Sequence, residues 1–221
     1  MTDREAKARE LIAKGTLAVG QLAKDPREAI NVLAQTAAGL VRGDGAATFV
    51  RVFDNLATKG EIDSQFGKTS KGRYFIQEIN DVISNETRDE QIVITKIKLF
   101  AAIASKKYKD NSEDEAKEVW TIIKSLDTKD IRVLAVAYQF REEDNPQKVN
   151  HFQSQEGWID FIAKESGLKY KEFVDESRGA LSTKRLLSGD FNTNYYLSPL
   201  GICVAEYLAE GERLFKLTEA T

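Results

Sequence analysis

A single histidine, His151, stands in the chain near Glu142, Glu143, Asp144, Glu156 and Trp158. It offers a general base or one metal ligand, but a lone histidine in a polar loop is usually solvated rather than poised. Cys203 is the only cysteine. It falls on the apolar face of a helix, where a thiol behaves as a small core residue. One cysteine excludes an intrachain disulfide and a Cys-based zinc site. Glu113-Asp114-Glu115 has the charge to attract a hard cation. Three consecutive helical residues diverge, however, and carboxylates at a helix start need no metal to explain them. Phe66-Gly67-Lys68-Thr69 resembles the end of a phosphate-binding loop, yet Ile62 stands where glycine is required and no strand precedes it. Arg42-Gly43-Asp44 reads as a turn between helices. The expectation is therefore no catalytic residue, no cofactor, no metal and no enzyme.

With 221 residues, 42% hydrophobic and 30% charged, the chain can bury a core and is not of disordered composition. Its 32 basic and 35 acidic side chains give a net charge of -3. Nucleic acid or an anionic membrane would then have to be bound by a local patch. Residues 1–10 mix both charges and lack the apolar stretch of a signal peptide, and no apolar run is long enough to span a bilayer. A reducing, cytoplasmic setting is expected.

Three prolines and abundant Ala, Leu, Glu and Lys predict a mainly all-α chain. Helices are expected over Asp3–Lys24, from Asp25-Pro26 to Val41, and then to Thr58 with Phe49, Val50, Phe53 and Leu56 on one face. Lys59-Gly60 ends the third. Glu61 to Arg73 reads as a polar loop, and a helix from Tyr74 to Ser84 follows. Thr87 to Glu90 forms a capping box before the most apolar helix, Gln91–Lys106, which should sit at the centre of the body. After a charged linker over Lys107–Asn111, Ser112 to Glu115 opens a helix reaching Leu126. Asp127 caps Ile131–Phe140, and the polar stretch Arg141–Asn150 is a hinge or long loop.

The last third is punctuated at nearly every joint. Gly157–Lys164 reads as a short helix with Trp158, Phe161 and Ile162 inward, stopped by Gly167. A longer helix from Tyr170 to Leu187 carries Tyr170, Phe173, Val174, Ser177 and Leu181 on one face. Ser188-Gly189 ends it, Asp190 to Asn194 is turn chemistry, and Tyr195-Tyr196-Leu197 composes a short strand. Ser198-Pro199 then caps a closing helix through Leu200, Cys203, Val204, Tyr207 and Leu208. This order resembles the winged helix-turn-helix of MarR-like regulators. "WIDFIAKESGLKYKEFVDESRGALSTKRLLSG" is similar to the supporting helix, turn and recognition helix, and "NYYLSPLGICVAEYL" to the returning wing strand and the next helix.

The resemblance implies that Tyr170–Leu187 would lie in a DNA major groove. On that helix Lys171, Arg178 and Arg185 share a stripe flanked by Ser182, the candidate nucleic-acid contacts. Asp175 sits inside the stripe and Glu172 and Glu176 beside it, and each opposes a phosphate. From Thr128 to Thr221 there are 12 basic and 15 acidic side chains, an unfavourable footprint for strong DNA binding. Adjacent tyrosines on a strand point to opposite faces, so Tyr195 and Tyr196 are candidate partner contacts.

The expectation is a helical bundle over residues 1–126 and a winged-helix-like element with a short β-hairpin over 127–221, separate or packed as one composite domain. The expected role is a non-catalytic binding or regulatory protein acting through protein contacts, with a protein partner or a homodimer. The alternatives are a DNA-binding transcriptional regulator and a membrane-directed effector using residues 4–24. Balanced charge on that segment disfavours a membrane partner.

Overall fold

A computed structural model of the chain describes residues 44–85, 90–140, 155–190 and 194–219, with side chains left out at 44–47, 50, 80, 83–85, 90, 155–156, 189–190 and 194–196. The expected helices before residue 44, the capping box at Thr87, the hinge at 141–150 and His151 lie outside the described residues. The protein is mainly helical. The described helices are α1 (Asp44–Thr58), α2 (Ser70–Asn85), α3 (Glu90–Ala104), α4 (Glu113–Lys124), α5 (Thr128–Gln139), α6 (Gln155–Ser166), α7 (Lys171–Thr183) and α8 (Pro199–Glu219). Strands β1 (Leu187–Asp190) and β2 (Asn194–Leu197) pair antiparallel, with Leu187 opposite Leu197 and Ser188 opposite Tyr196. None of the described helices is long and apolar enough to cross a membrane.

The chain divides into two compact units, one running to Glu113 and resuming at Glu210, the other spanning Asp114–Ala209. The sequence suggests either a division at 126 or one composite domain; α4 belongs almost wholly to the second unit. Helix α8 supplies its last turns to the first unit and its beginning to the second.

In the first unit α3 is the central element, buried nearly all round from Ile97 to Ala104. A helix without a polar face can only be stable when neighbours cover every side. Phe100 gathers the aromatic core: its ring lies 4.8 Å from Phe53, 5.6 Å from Phe49 and 5.8 Å from Phe66, in tilted and edge-to-face arrangements. Phe66 corrects the expectation of a polar loop over Glu61–Arg73. A 3-10 turn at Phe66–Lys68 turns its ring inward, and α2 begins at Ser70, four residues before the expected start. Thr69 makes that early start workable, its hydroxyl oxygen accepting the Gly72 N–H at 2.9 Å. The linker at 107–111 is corrected too, because a second 3-10 turn, Lys106–Tyr108, buries Tyr108.

Buried charge braces this unit. Lys71 is 7% exposed and its ammonium donates to the carbonyls of Tyr108 and Asn111, both at 2.9 Å, and of Lys109 at 3.4 Å. Near the end of α8, Arg213 donates to Glu210 at 2.8 and 3.0 Å and to Glu61 at 2.9 Å. The Arg213 hydrogen bonds hold the Glu210 carboxyl below the usual carboxylate range against the opposing effect of its burial. Gly211 lets α8 approach the α3 backbone: a Cβ there would lie 2.4 Å from the Lys98 carbonyl oxygen.

The second unit packs α5, α6 and α7 against one another around Val133, Leu134, Trp158, Ile162, Val174 and Leu181. Helix α5 starts three residues before the expected Ile131. Asp130 explains this, its carboxylate reaching back to accept the Asp127 N–H at 3.2 Å. Ser198 caps α8 as expected, accepting from Gly201 N–H at 2.9 Å, with Pro199 in the first helical position.

Two corrections fall on α7 and the strand after it. The helix stops at Thr183 rather than Leu187, and Leu187–Asp190 is strand where the sequence suggests a helix end and turn. The stop is a Schellman closure: Leu186 N–H bonds Leu181 O and Arg185 N–H bonds Ser182 O, each at 2.9 Å, with Arg185 at φ +60°. Leu181 and Leu186 are both fully buried and fix the corner.

Candidate interaction surface

The segment Lys169-Tyr170-Lys171-Glu172-Phe173 follows a left-handed residue, Gly167 at φ +69°, which closes α6 as Leu168 N–H returns to Ala163 O. The chain then runs extended through Tyr170, at φ −115° and ψ 129°, before α7 begins. Extended backbone takes Tyr170 off the helical wheel, and its ring ends 51% exposed. Phe173 lies on the flank of the buried stripe and is 42% exposed. The two rings meet edge to face, with centroids 5.6 Å apart at 88°. They are the exposed large hydrophobic side chains among the described residues, so the single face expected for Tyr170, Phe173, Val174, Ser177 and Leu181 does not form. The inward face consists of Val174, Ser177 and Leu181.

Lysines surround the pair. Lys129 places its ammonium 5.7 Å from the Phe173 centroid, and Lys169 places its own 5.3 Å from the Tyr170 centroid. Lys129 is held by Glu176 at 2.5 Å, which raises the lysine pKa. Lys171, a candidate nucleic-acid contact, pairs with Asp160. Arg178 is half-buried and pairs with Asp175 at 2.6 Å. Ser182 is exposed. Arg185 has left the helix, so the stripe of three cations spaced seven apart does not form. Among the described residues Lys169, Lys184 and Arg185 have no carboxylate at ion-pair distance, and Glu172 has no cation. Gly179, on the same helix, has open space where a Cβ would stand.

Tyr195 and Tyr196 lie in β2, paired with Gly189 and Ser188; their side chains fall outside the described residues. Cys203 is part-buried, with its sulfur 3.9 Å from Glu115 Oε1, and Tyr207 donates to the same oxygen at 3.1 Å. Burial, reinforced by the Glu115 charge, pushes the thiol up to about 11. At neutral pH that thiol is held in its protonated form, which makes it a poor nucleophile. No group of three or more His, Cys, Asp or Glu side chains converges among the described residues.

The aromatic pair is what sequence periodicity misses. Its available signal is the interval Gly167 to Tyr170, where a left-handed stop followed by extended backbone moves the next helix start past Tyr170. The chain matches no family model, no curated protein and no solved structure.

Proposed function

We propose that the chain is a non-catalytic binding or regulatory protein acting through protein contacts in a cytoplasmic setting, with the start of α7 as its contact surface. One observation carries this: Tyr170 and Phe173 stand exposed side by side. Aromatic side chains dominate binding energy at protein interfaces and are costly to leave in water without a purpose. The order α5, α6, α7, β1, β2, α8 supports reading the second unit as winged-helix-like. Its helix α7 suits a protein partner better than DNA, since Lys171 and Arg178 are already matched by carboxylates that would oppose phosphates.

A photo-crosslinking amino acid at position 173, with a matched control at exposed Asp110, tests the reading. Adducts to protein specific to position 173, lost on Tyr170→Ser, are expected. Adducts equal at both positions would sink it. A DNA-binding regulator is the second reading, favoured by the unpaired Lys184 and Arg185 where α7 meets the hairpin. It requires affinity for a random duplex pool that falls steeply with salt and weakens on Arg185→Glu.

A further inference from the structure

We propose that the partner at this surface is a second copy of the same chain, docked about a twofold axis with Tyr170 and Phe173 at its centre. This rests on the reading of the α7 start as the contact surface. In a twofold interface one patch meets itself, so it must be complementary to itself in charge as well as shape. The segment Lys169–Phe173 has that property. Lys169 and Glu172 flank the Tyr170 ring in the chain, and neither has an ion-pair partner among the described residues. The other charges nearby are already matched, Lys171 with Asp160 and Lys129 with Glu176. One free cation and one free anion beside an aromatic pair can satisfy each other twice across a twofold, Lys169 of each copy facing Glu172 of the other. A strongly acidic partner would find only Lys169 to meet, and a nucleic acid would meet Glu172 as well.

The area sets the strength. Half-exposed aromatic rings offer together about 150–200 Å² per copy, against about 800 Å² per partner in a stable interface. The association is therefore weaker than about micromolar and governed by concentration.

Sedimentation velocity on the full chain, from low micromolar to millimolar, tests this with a charge exchange. Lys169→Glu alone and Glu172→Lys alone each set like charges facing across the twofold, and each should weaken self-association by about tenfold or more. Mixed in equal amounts, the two variants become complementary and should associate at least as well as the parent chain. Phe173→Ser should abolish association while circular dichroism stays unchanged, since that ring is already 42% exposed. A parent chain monomeric throughout the range would overturn the proposal, as would a mixture no better than the separate variants. Crosslinks from position 173 to a different protein, with a monomeric parent chain, would remove self-association and leave the protein-contact reading standing.

Discussion

Three of the described helices end in the same hydrogen-bonded closure. At Gly60, Gly167 and Arg185 the residue takes φ of +70°, +69° and +60°, and the next N–H returns to a carbonyl five residues back. Two of these positions are glycine; the third is arginine. A side chain in the left-handed region costs about 1–2 kcal/mol, because its Cβ crowds the following carbonyl. Glycine avoids this but loses more freedom on folding, by about 0.5–1 kcal/mol. Arg185→Gly should therefore stabilise the second unit by about 0.5–1 kcal/mol, raising its urea midpoint by a few tenths of a molar at about 1–3 kcal/mol per molar. Arg185→Ala keeps the strain and loses no ion pair, so its change should stay within about 0.5 kcal/mol. Gly167→Ala is the reciprocal test, because a Cβ there meets nothing within 4 Å and only the backbone conformation is at stake. It should destabilise by about 1 kcal/mol. The assay is urea unfolding followed by tryptophan fluorescence. Trp120 and Trp158 are the only tryptophans and both lie in the second unit, so the signal reports that unit alone. Equal midpoints for the glycine and alanine variants at 185 would refute the strain argument.

Lys71→Met should destabilise the first unit by about 2–4 kcal/mol, since it removes charge-assisted hydrogen bonds to three carbonyls; far-UV circular dichroism in urea measures this. Glu210→Gln should cost about 1–2 kcal/mol at neutral pH. Because the folded-state pKa of Glu210 is lowered, its contribution is complete above the ordinary carboxylate value and is lost as pH falls through the folded one. The variant should accordingly lose part of the acid dependence of stability below about pH 4.5, and an unchanged acid profile would count against that role. At pH 8 the Cys203 thiol should react with a disulfide reagent on the order of tenfold or more slower than free cysteine. Glu115→Gln, which lowers the thiol pKa by removing a neighbouring negative charge, should speed the reaction.

Much of the helical layout comes from local chemistry that the sequence states outright. Gly60 and Gly167 close helices because glycine alone enters the left-handed region freely. Asp127 and Ser198-Pro199 open helices because their side-chain oxygens and proline's fixed φ satisfy the first turn. The apolar circumference of Gln91–Lys106 places α3 at the centre of its unit, since no face of it suits water. These features depend on residues within one turn of each other.

The features that only tertiary structure decides depend on residues far apart. Lys71 is buried because carbonyls 37 to 40 residues away take its ammonium, and Phe66 is core because the ring of Phe100 waits for it. Arg185 is held left-handed although its own preference opposes it: Leu186 is fully buried, Ser198 N–H binds the Leu186 carbonyl at 3.0 Å, and Gly201 leaves that carbonyl room. That corner ends α7 before Leu187 and dissolves the periodic stripe of cations. The same packing leaves Tyr170 and Phe173 in water, because an extended residue has no place on a helical wheel and a flanking one needs a neighbour to cover it. Composition and spacing determine which helices form; the contacts between them determine which side chains remain outside to meet another molecule.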